Sequence, residues 1–418
     1  MTDTPLSHTG PQDKRVVRFA CPQCDADLVY DPGAQGLACG HCGYRQPVES
    51  PAVDRSAGEE LFTPESLRQM TPGWRMDSQE VACQRCHGQV ILPPGALTQK
   101  CPFCGSYQIV QAAGDEARMR PHFLIPFSLT LEQCQAKARE WLGESWMTPR
   151  DLKQIAGMGD FRPLYTPFWT FDAQTSADWR AEVGRDQQER FFDVATKQWQ
   201  TRTVTHWEWK SGHVDVTIDD LLVPGTEHVQ EAFLAEMAVF DFGRMAAYDP
   251  VFLAGSQAQA YEVPLEKAWQ AAQTRIRSRT EQACHAQTGG GQVRNLSLTN
   301  YRLSGEKWRY VLLPVYVSVY NYQNKAFQML VNGQSGRLGG QRPVVWRRVW
   351  FWALLPLLLS LLVVVLSLTV VASQGLMLAG FIALFIALFW FGVTLNTAKR
   401  TESAAIQARE INWNEPVG

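Results

Sequence analysis

Fifty consecutive residues, Val349 to Ala398, pass without a charged side chain, and only Ser373-Gln374-Gly375 interrupts their apolar run. A bilayer core needs ~20 apolar residues per helix, so the pattern predicts transmembrane helices over 349–372 and 375–396, with a tail over 397–418. The join is too short for a domain, which predicts a tight hairpin with both ends on one side. Arg342, Arg347 and Arg348 precede the hairpin, Lys399 and Arg400 follow it, and the join has no basic residue. The positive-inside rule then places both ends in the cytosol. Trp346, Trp350, Trp352, Trp390 and Phe391 fall near that interface. Pro356 and Gly380 can kink or pack the helices, and the spans hold no ionisable residue. An anchor is therefore favoured over a transporter or channel.

Upstream, 120–343 mixes two periods. Apolar and small residues recur at helical spacing over Leu131 to Leu142 and Leu265 to Ile276. Period-two alternation marks Trp199 to Trp209 and Val214, Val216 and Ile218. Tyr320-Asn321-Tyr322-Gln323-Asn324 reads as a turn before a strand over Ala326 to Val331, and Asn332-Gly333 as another turn. These elements predict an α+β cytosolic body, mainly antiparallel sheet. The order also repeats: each helix precedes a strand opening, Leu164-Tyr165-Thr166-Pro167-Phe168-Trp169 or Val311-Leu312-Leu313-Pro314-Val315-Tyr316. The second unit is thirteen residues longer between helix and proline and holds Gly289-Gly290-Gly291, which would loop out. An internal duplication, with units over 120–225 and 258–343, is the expectation.

Cysteines change the picture at the amino end. Cys21 and Cys24 are followed after fourteen residues by Cys39 and Cys42, and Cys83 and Cys86 after fourteen by Cys101 and Cys104. A Cys-x-x-Cys turn aims two thiolates at one ion, and two such turns close a tetrahedral sulfur site. Asp31-Pro32-Gly33 and Pro93-Pro94-Gly95 supply the hairpin turns between the pairs, and Gly43 and Gly105 let backbone amides approach the thiolates. The chain is thus expected to be multidomain, with zinc ribbons over 17–46 and 80–113 and a flexible linker over 47–79. Within that linker, Glu59 to Met70 reads as one short helix. Two structural Zn2+ ions are the implied cofactors, with iron in a rubredoxin-like site as the alternative at Cys101-Pro102-Phe103-Cys104-Gly105. Four thiolates per ion leave no open position, which disfavours metal catalysis. His41 and His87 are surplus to these sites. Met1 to Gln12 contains no apolar leader, so the amino end is expected in the cytosol, where thiols stay reduced. Cys134 and Cys284 then read as small buried hydrophobes.

Composition adds little. Net charge is -2 overall, and residues 1–113 carry nine Lys or Arg against twelve Asp or Glu, a net of -3. That is no footprint for phosphate backbones, so nucleic acid is not the expected partner. No phosphate loop, zinc-protease helix or nucleophile elbow occurs. Asp172, Asp219, Asp220 and Glu208 read as strand-end acids, His206 and His213 as exposed strand or turn residues, and Trp169, Trp199, Trp207 and Trp209 as mainly core. A non-enzymatic adaptor follows. The alternatives are a membrane-tethered nucleic-acid binder and an enzyme or ligand sensor with its site in the body.

Several segments carry a resemblance: Phe123-Leu124-Ile125-Pro126-Phe127, Trp141-Leu142 with Pro149-Arg150-Asp151-Leu152, Tyr165 through Asp172, Asp219 through Pro224, and Val331 through Gly336 continuing to Gly340-Gln341-Arg342-Pro343. From Cys83 onward the chain resembles a family of bacterial membrane proteins with a TFIIB-type zinc ribbon, although the ribbon over Cys21 to Cys42 departs from single-ribbon members. The resemblance implies an inner-membrane adaptor for envelope maintenance or stress. It also implies protein partners of the phage-shock PspA-like or SPFH kind.

Overall fold

The structure is a computed structural model and describes residues 19–48, 53, 58–63, 79–84, 89–92, 101–103, 109–111, 119–152, 161–194, 197–227, 237, 239–323, 325–367 and 374–407. In chain order the elements are β1 (Leu28–Asp31), β2 (Gly36–Cys39), β3 (Arg45–Pro47), β4 (Glu60–Leu61), β5 (Gln79–Cys83), β6 (Gln89–Leu92), β7 (Ile109–Gln111) and β8 (Phe123–Leu124). Then follow α1 (Leu131–Glu144), β9 (Arg162–Asp193), β10 (Gln198–Pro224), β11 (Ala246–Ala247), β12 (Gln257–Gln259), α2 (Leu265–Gln287), β13 (Gln292–Tyr322), β14 (Lys325–Asn332), β15 (Leu338–Gly340), α3 (Trp346–Leu366) and α4 (Gln374–Gln407). The first three strands form their own antiparallel sheet, and the other twelve join one mainly antiparallel sheet.

Three long strands organise this sheet, with β9 in the middle and β10 and β13 antiparallel to it on either side. Burial grades along β9. From Leu164 to Phe171 every residue is buried, so both faces are covered there. From Ala173 to Val183 only alternate residues are buried, and α2 packs on that face through Cys284 against Ala177, Trp179, Ala181 and Val214. The opposite face stays open. Beyond Gly184, where β13 stops pairing, β9 and β10 continue as a two-stranded hairpin tipped by exposed Phe192 and Trp199 in edge contact.

Local sequence explains the helices. Thr130 caps α1 in a reciprocal box with Gln133, the hydroxyl accepting from the Gln133 amide at 3.3 Å and the Thr130 amide donating to Oε1 at 3.0 Å. Cys134, Ala138 and Leu142 recur every fourth residue and are buried. In α2 the buried stripe runs Leu265, Ala268, Trp269, Ala272, Ile276, Thr280 and Cys284. The Gly289-Gly290-Gly291 run, all at positive φ, turns the chain into β13.

The two expected units make matching contacts, exchanged between them. Strand β8 lies parallel to β13, Phe123 opposite Val311, while β12 lies parallel to β9, Gln257 opposite Leu164. The Gly225 amide donates to the Pro167 carbonyl at 2.9 Å, and the Gly333 amide to the Pro314 carbonyl at 2.8 Å. The Gly225 carbonyl accepts from the Glu262 and Val263 amides; the Gly333 carbonyl accepts from those of Ser128 and Leu129. Trp169 Nε1 donates to the Val263 carbonyl at 3.0 Å, and the Tyr316 hydroxyl to that of Leu129 at 2.7 Å. Tyr261 packs on Trp169 as Phe127 packs on Tyr316.

The amino-terminal segments differ from expectation first at Glu59. Of the helix expected over Glu59 to Met70, Glu60–Leu61 form β4, paired antiparallel with Lys307 and Trp308 of β13. Lys307 Nζ holds Glu59 at 2.6 Å and the Phe62 ring lies 4.6 Å from that of Trp269, so tertiary contacts override a weak helical pattern. Residues 64–70 lie outside the described residues. At the carboxyl end, α3 starts three residues earlier than expected, and α4 runs past 396 into the expected tail. Both α3 and the Leu378–Lys399 part of α4 are long and apolar enough to cross a membrane. Gly380 packs on Val364, where a Cβ would approach to 3.0 Å.

Candidate metal centre

In the first ribbon β1 and β2 form a hairpin with Leu28 opposite Cys39, and the turns at both cysteine pairs fold toward each other. Gly43 at φ 76° closes the second turn, its amide donating to the Cys39 carbonyl at 3.1 Å. Ligand atoms of Cys21, Cys24, Cys39 and Cys42 all lie within 4.8 Å of one another. Cys21 and Cys42 sulfurs stand 3.5 Å apart, as do those of Cys24 and Cys39. Tetrahedral zinc with ~2.3 Å bonds to sulfur needs sulfurs ~3.8 Å apart, so the four thiols fit one ion. Cys21 and Cys39 are buried and Cys42 is exposed.

The backbone treats the four sulfurs unequally. Amides of Cys42 and His41 bring the Cys39 thiol down to about 6. At Cys24 the Ala26 amide pulls the other way, yet burial and the neighbouring thiols carry it up to about 12. A bound cation holds all four as thiolates, so binding it releases the protons they carry.

This ribbon is seated on the body. The Tyr30 amide donates to the Ala254 carbonyl at 2.9 Å, the Tyr30 and Phe252 rings meet at 5.4 Å, and Ala254 belongs to the cluster around Cys21 and Cys39. In the second ribbon Cys83 and Cys101 are buried, in one cluster with Val81, Val90 and Phe103. The same cluster holds Phe123, Ile125 and Leu164, and β6 pairs with β12 through Val90 opposite Gln259. Its strands therefore extend the body sheet. Cys86, His87, Cys104 and Gly105 lie outside the described residues. Cys134 and Cys284 are fully buried in α1 and α2.

The candidate acids separate. Asp172, Asp219 and Asp220 converge around a β-bulge between Ile218 and Leu221, whereas Glu208 pairs near the outer end of the three-stranded part, opposite Val183. Burial pushes Asp172 up to about 6, although it accepts from the Asp220 amide at 2.6 Å. Arg309, fully buried, pairs with Asp220 and bonds Thr170, so the acids carry their own counter-ion. Nothing in the chain pattern singled Arg309 out; a lone arginine inside an apolar strand was its one signal.

On the open face, His213 Nδ1 meets Asp178 at 2.7 Å while Nε2 stands 3.3 Å from Ser176 Oγ and 3.3 Å from Asp215. Asp178 also accepts from Asn300 at 2.8 Å. The alignment imitates a nucleophilic triad, but all of it is exposed on a flat three-stranded face whose middle strand pairs on both sides. His206 is likewise an exposed strand residue, paired to Glu189 at 3.0 Å. Of the tryptophans expected in the core only Trp169 is there; Trp199 is exposed on the arm, Trp209 is exposed at the outer end of the three-stranded part with Arg180 over its ring at 4.4 Å, and Trp207 is half-buried with Arg294 stacked at 3.8 Å. Trp199 projects beyond the three-stranded part of the sheet.

No family model matches the chain, and no solved structure matches it. The chain is similar to a Bacillus subtilis (strain 168) protein described as "Uncharacterized protein YdjG", 23% identical over 339 residues that cover 81% of this chain and 93% of that protein.

Proposed function

We propose that the chain is a membrane-anchored zinc-ribbon scaffold that recruits protein partners to the cytosolic face of a bacterial inner membrane. The observation that carries the reading is the closed four-thiol set seated on a body continuous with two apolar helices. Closed sulfur sites hold structure, and uncharged helices anchor. What is left for function is surface, and the exposed aromatics of the arm are its most adhesive part. The helices cross as a hairpin with both ends cytosolic, and each ribbon holds one structural Zn2+, the second completed by Cys86 and Cys104. The body descends from a duplicated unit of short strand, helix and long strand; the exchanged contacts around Pro167 and Pro314 support this. In keeping with the resemblance, the partner is a PspA-like or SPFH-like envelope-stress protein, concentrated at the bilayer by the anchor. The chain performs no reaction of its own.

The test reconstitutes the full chain in vesicles and measures recruitment of a labelled PspA-like or SPFH-like protein. Wild type should recruit it, and Trp199→Ala with Trp209→Ala should weaken recruitment several-fold, hot-spot aromatics being worth ~2 kcal/mol or more each. Equal recruitment to vesicles lacking the chain would end the scaffold reading.

A further inference from the structure

The loop that follows α1 meets the membrane helices at their root. The Val345 amide donates to the Met147 carbonyl at 2.9 Å, and Arg348 Nη1 to the Thr148 carbonyl at 3.0 Å. Met147 packs in one cluster with Val349 of α3 and Ala398 of α4, with Trp346 and Leu395 partly buried against it. Val349 and Ala398 both lie inside the apolar spans, Trp346–Leu366 and Leu378–Lys399. A side chain of the body therefore reaches the level at which both helices enter the bilayer. Neighbouring residues cannot be far from that level, because consecutive Cα atoms are ~3.8 Å apart.

What flanks Met147 is an unusual pair for a soluble loop. Trp146 is 44% exposed, and Arg150 is exposed in the same loop. Arg347 and Lys399 are exposed on the helices at this level. The acids nearby are Glu144, which faces Arg342 at 3.6 Å, and Asp151, which accepts from the Tyr322 hydroxyl. Tryptophan favours the membrane interface, where its ring is dry and its N–H wet, and Arg and Lys there meet lipid phosphates. Continuity with the membrane helices thus names the occupant.

We propose that the Ser145–Leu152 loop sits in the headgroup layer and, with Arg347 and Lys399, binds anionic phospholipid headgroups, Trp146 being its interfacial anchor. The proposal rests on the reading of α3 and α4 as membrane-spanning. It adds that the body itself touches lipid, so that α1, which ends at Glu144, is joined directly to the bilayer surface.

The experiment reconstitutes the full chain in phosphatidylcholine vesicles containing a minority of phosphatidylglycerol, some of it with a photoreactive headgroup. After illumination the 145–152 peptide should carry the label, and Trp146→Ala should reduce it. Lipid discs cut out around the protein should be enriched in phosphatidylglycerol. The triple variant Arg150→Gln, Arg347→Gln, Lys399→Gln should lose at least about threefold of that enrichment, each basic side chain at an anionic surface contributing a small additive attraction. Arg150→Lys with Arg347→Lys should keep it. Label confined to α3 and α4 peptides, or enrichment equal in wild type and triple variant, would overturn the proposal. Release of the full chain from membranes by alkaline carbonate is a separate outcome that overturns it together with the membrane reading beneath it.

Discussion

His213 bridges two carboxylates across paired strands as an exposed ion cluster. The hydrogen bond to Asp178 comes first in raising the histidine above its ordinary range, and Asp215 adds to it. Asp178 is held below its ordinary range by Asn300 and then by His213. A raised histidine contributes stability that is complete below its unfolded value near 6.5 and lost as pH rises through the folded value. The lowered Asp178 contributes above 3.8 and is lost as pH falls through its folded value. Both groups are exposed, so salt screens the pair and its weight in stability is small. Proton NMR titration of the His213 ring should give a midpoint above 6.5, and Asp178→Asn should move it back toward that value. An unchanged midpoint in the variant would assign the shift to another group.

At the scale of elements, the two ribbons that look alike in spacing are built into the molecule differently. The first has its own three-stranded sheet and meets the body through Tyr30 and Val48 on its side and Val251 and Ala254 on the body's. The second shares a core with Phe123, Ile125, Leu164 and Phe168, and β6 sits against β12, which pairs with β9. Loss of a structural zinc removes a binding free energy on the order of 10 kcal/mol from whatever unit folds around it. Cys39→Ser should therefore cost one zinc and expose only the first ribbon to protease. Cys101→Ser should cost one zinc and also expose cleavage sites in β12 and the inner part of β9. Metal analysis with protease mapping checks both, and equal, ribbon-confined damage would refute the shared core. The thiol spacing of the first ribbon, its Gly43 turn and the helical spacing of α1 and α2 were legible in the sequence because each is decided within a few residues. The merging of the second ribbon with the body was not, since it depends on pairing Val90 with Gln259, far away in the chain. Nor was the arm: a period-two pattern such as Trp199 to Trp209 reports a strand but not which neighbours cover it, and here β13 stops at Gly184.

Across the whole molecule, the root of the helices ties topology to the body. Val349 near the start of α3 and Ala398 of α4 share one buried cluster with Met147. Under the proposed membrane reading, two spans whose ends share that cluster leave and return on the same side. Arg347, Arg348 and Lys399 collect at this shared end, and under the proposed membrane reading the positive-inside rule predicts that end in the cytosol. β9 has 32 residues, a contour of roughly 100 Å at ~3.3 Å per residue. The exposed aromatic tip at Phe192 and Trp199 lies at the opposite end of that strand from Arg162. Single cysteines introduced by Glu402→Cys and Gln374→Cys separate the possibilities in intact cells. A membrane-impermeant maleimide should label position 374, at the far end of the hairpin, and reach position 402 only after permeabilisation. The opposite pattern would invert the whole molecule and place the metal centre, the arm and its partner outside; labelling of both positions in intact cells would break the hairpin itself.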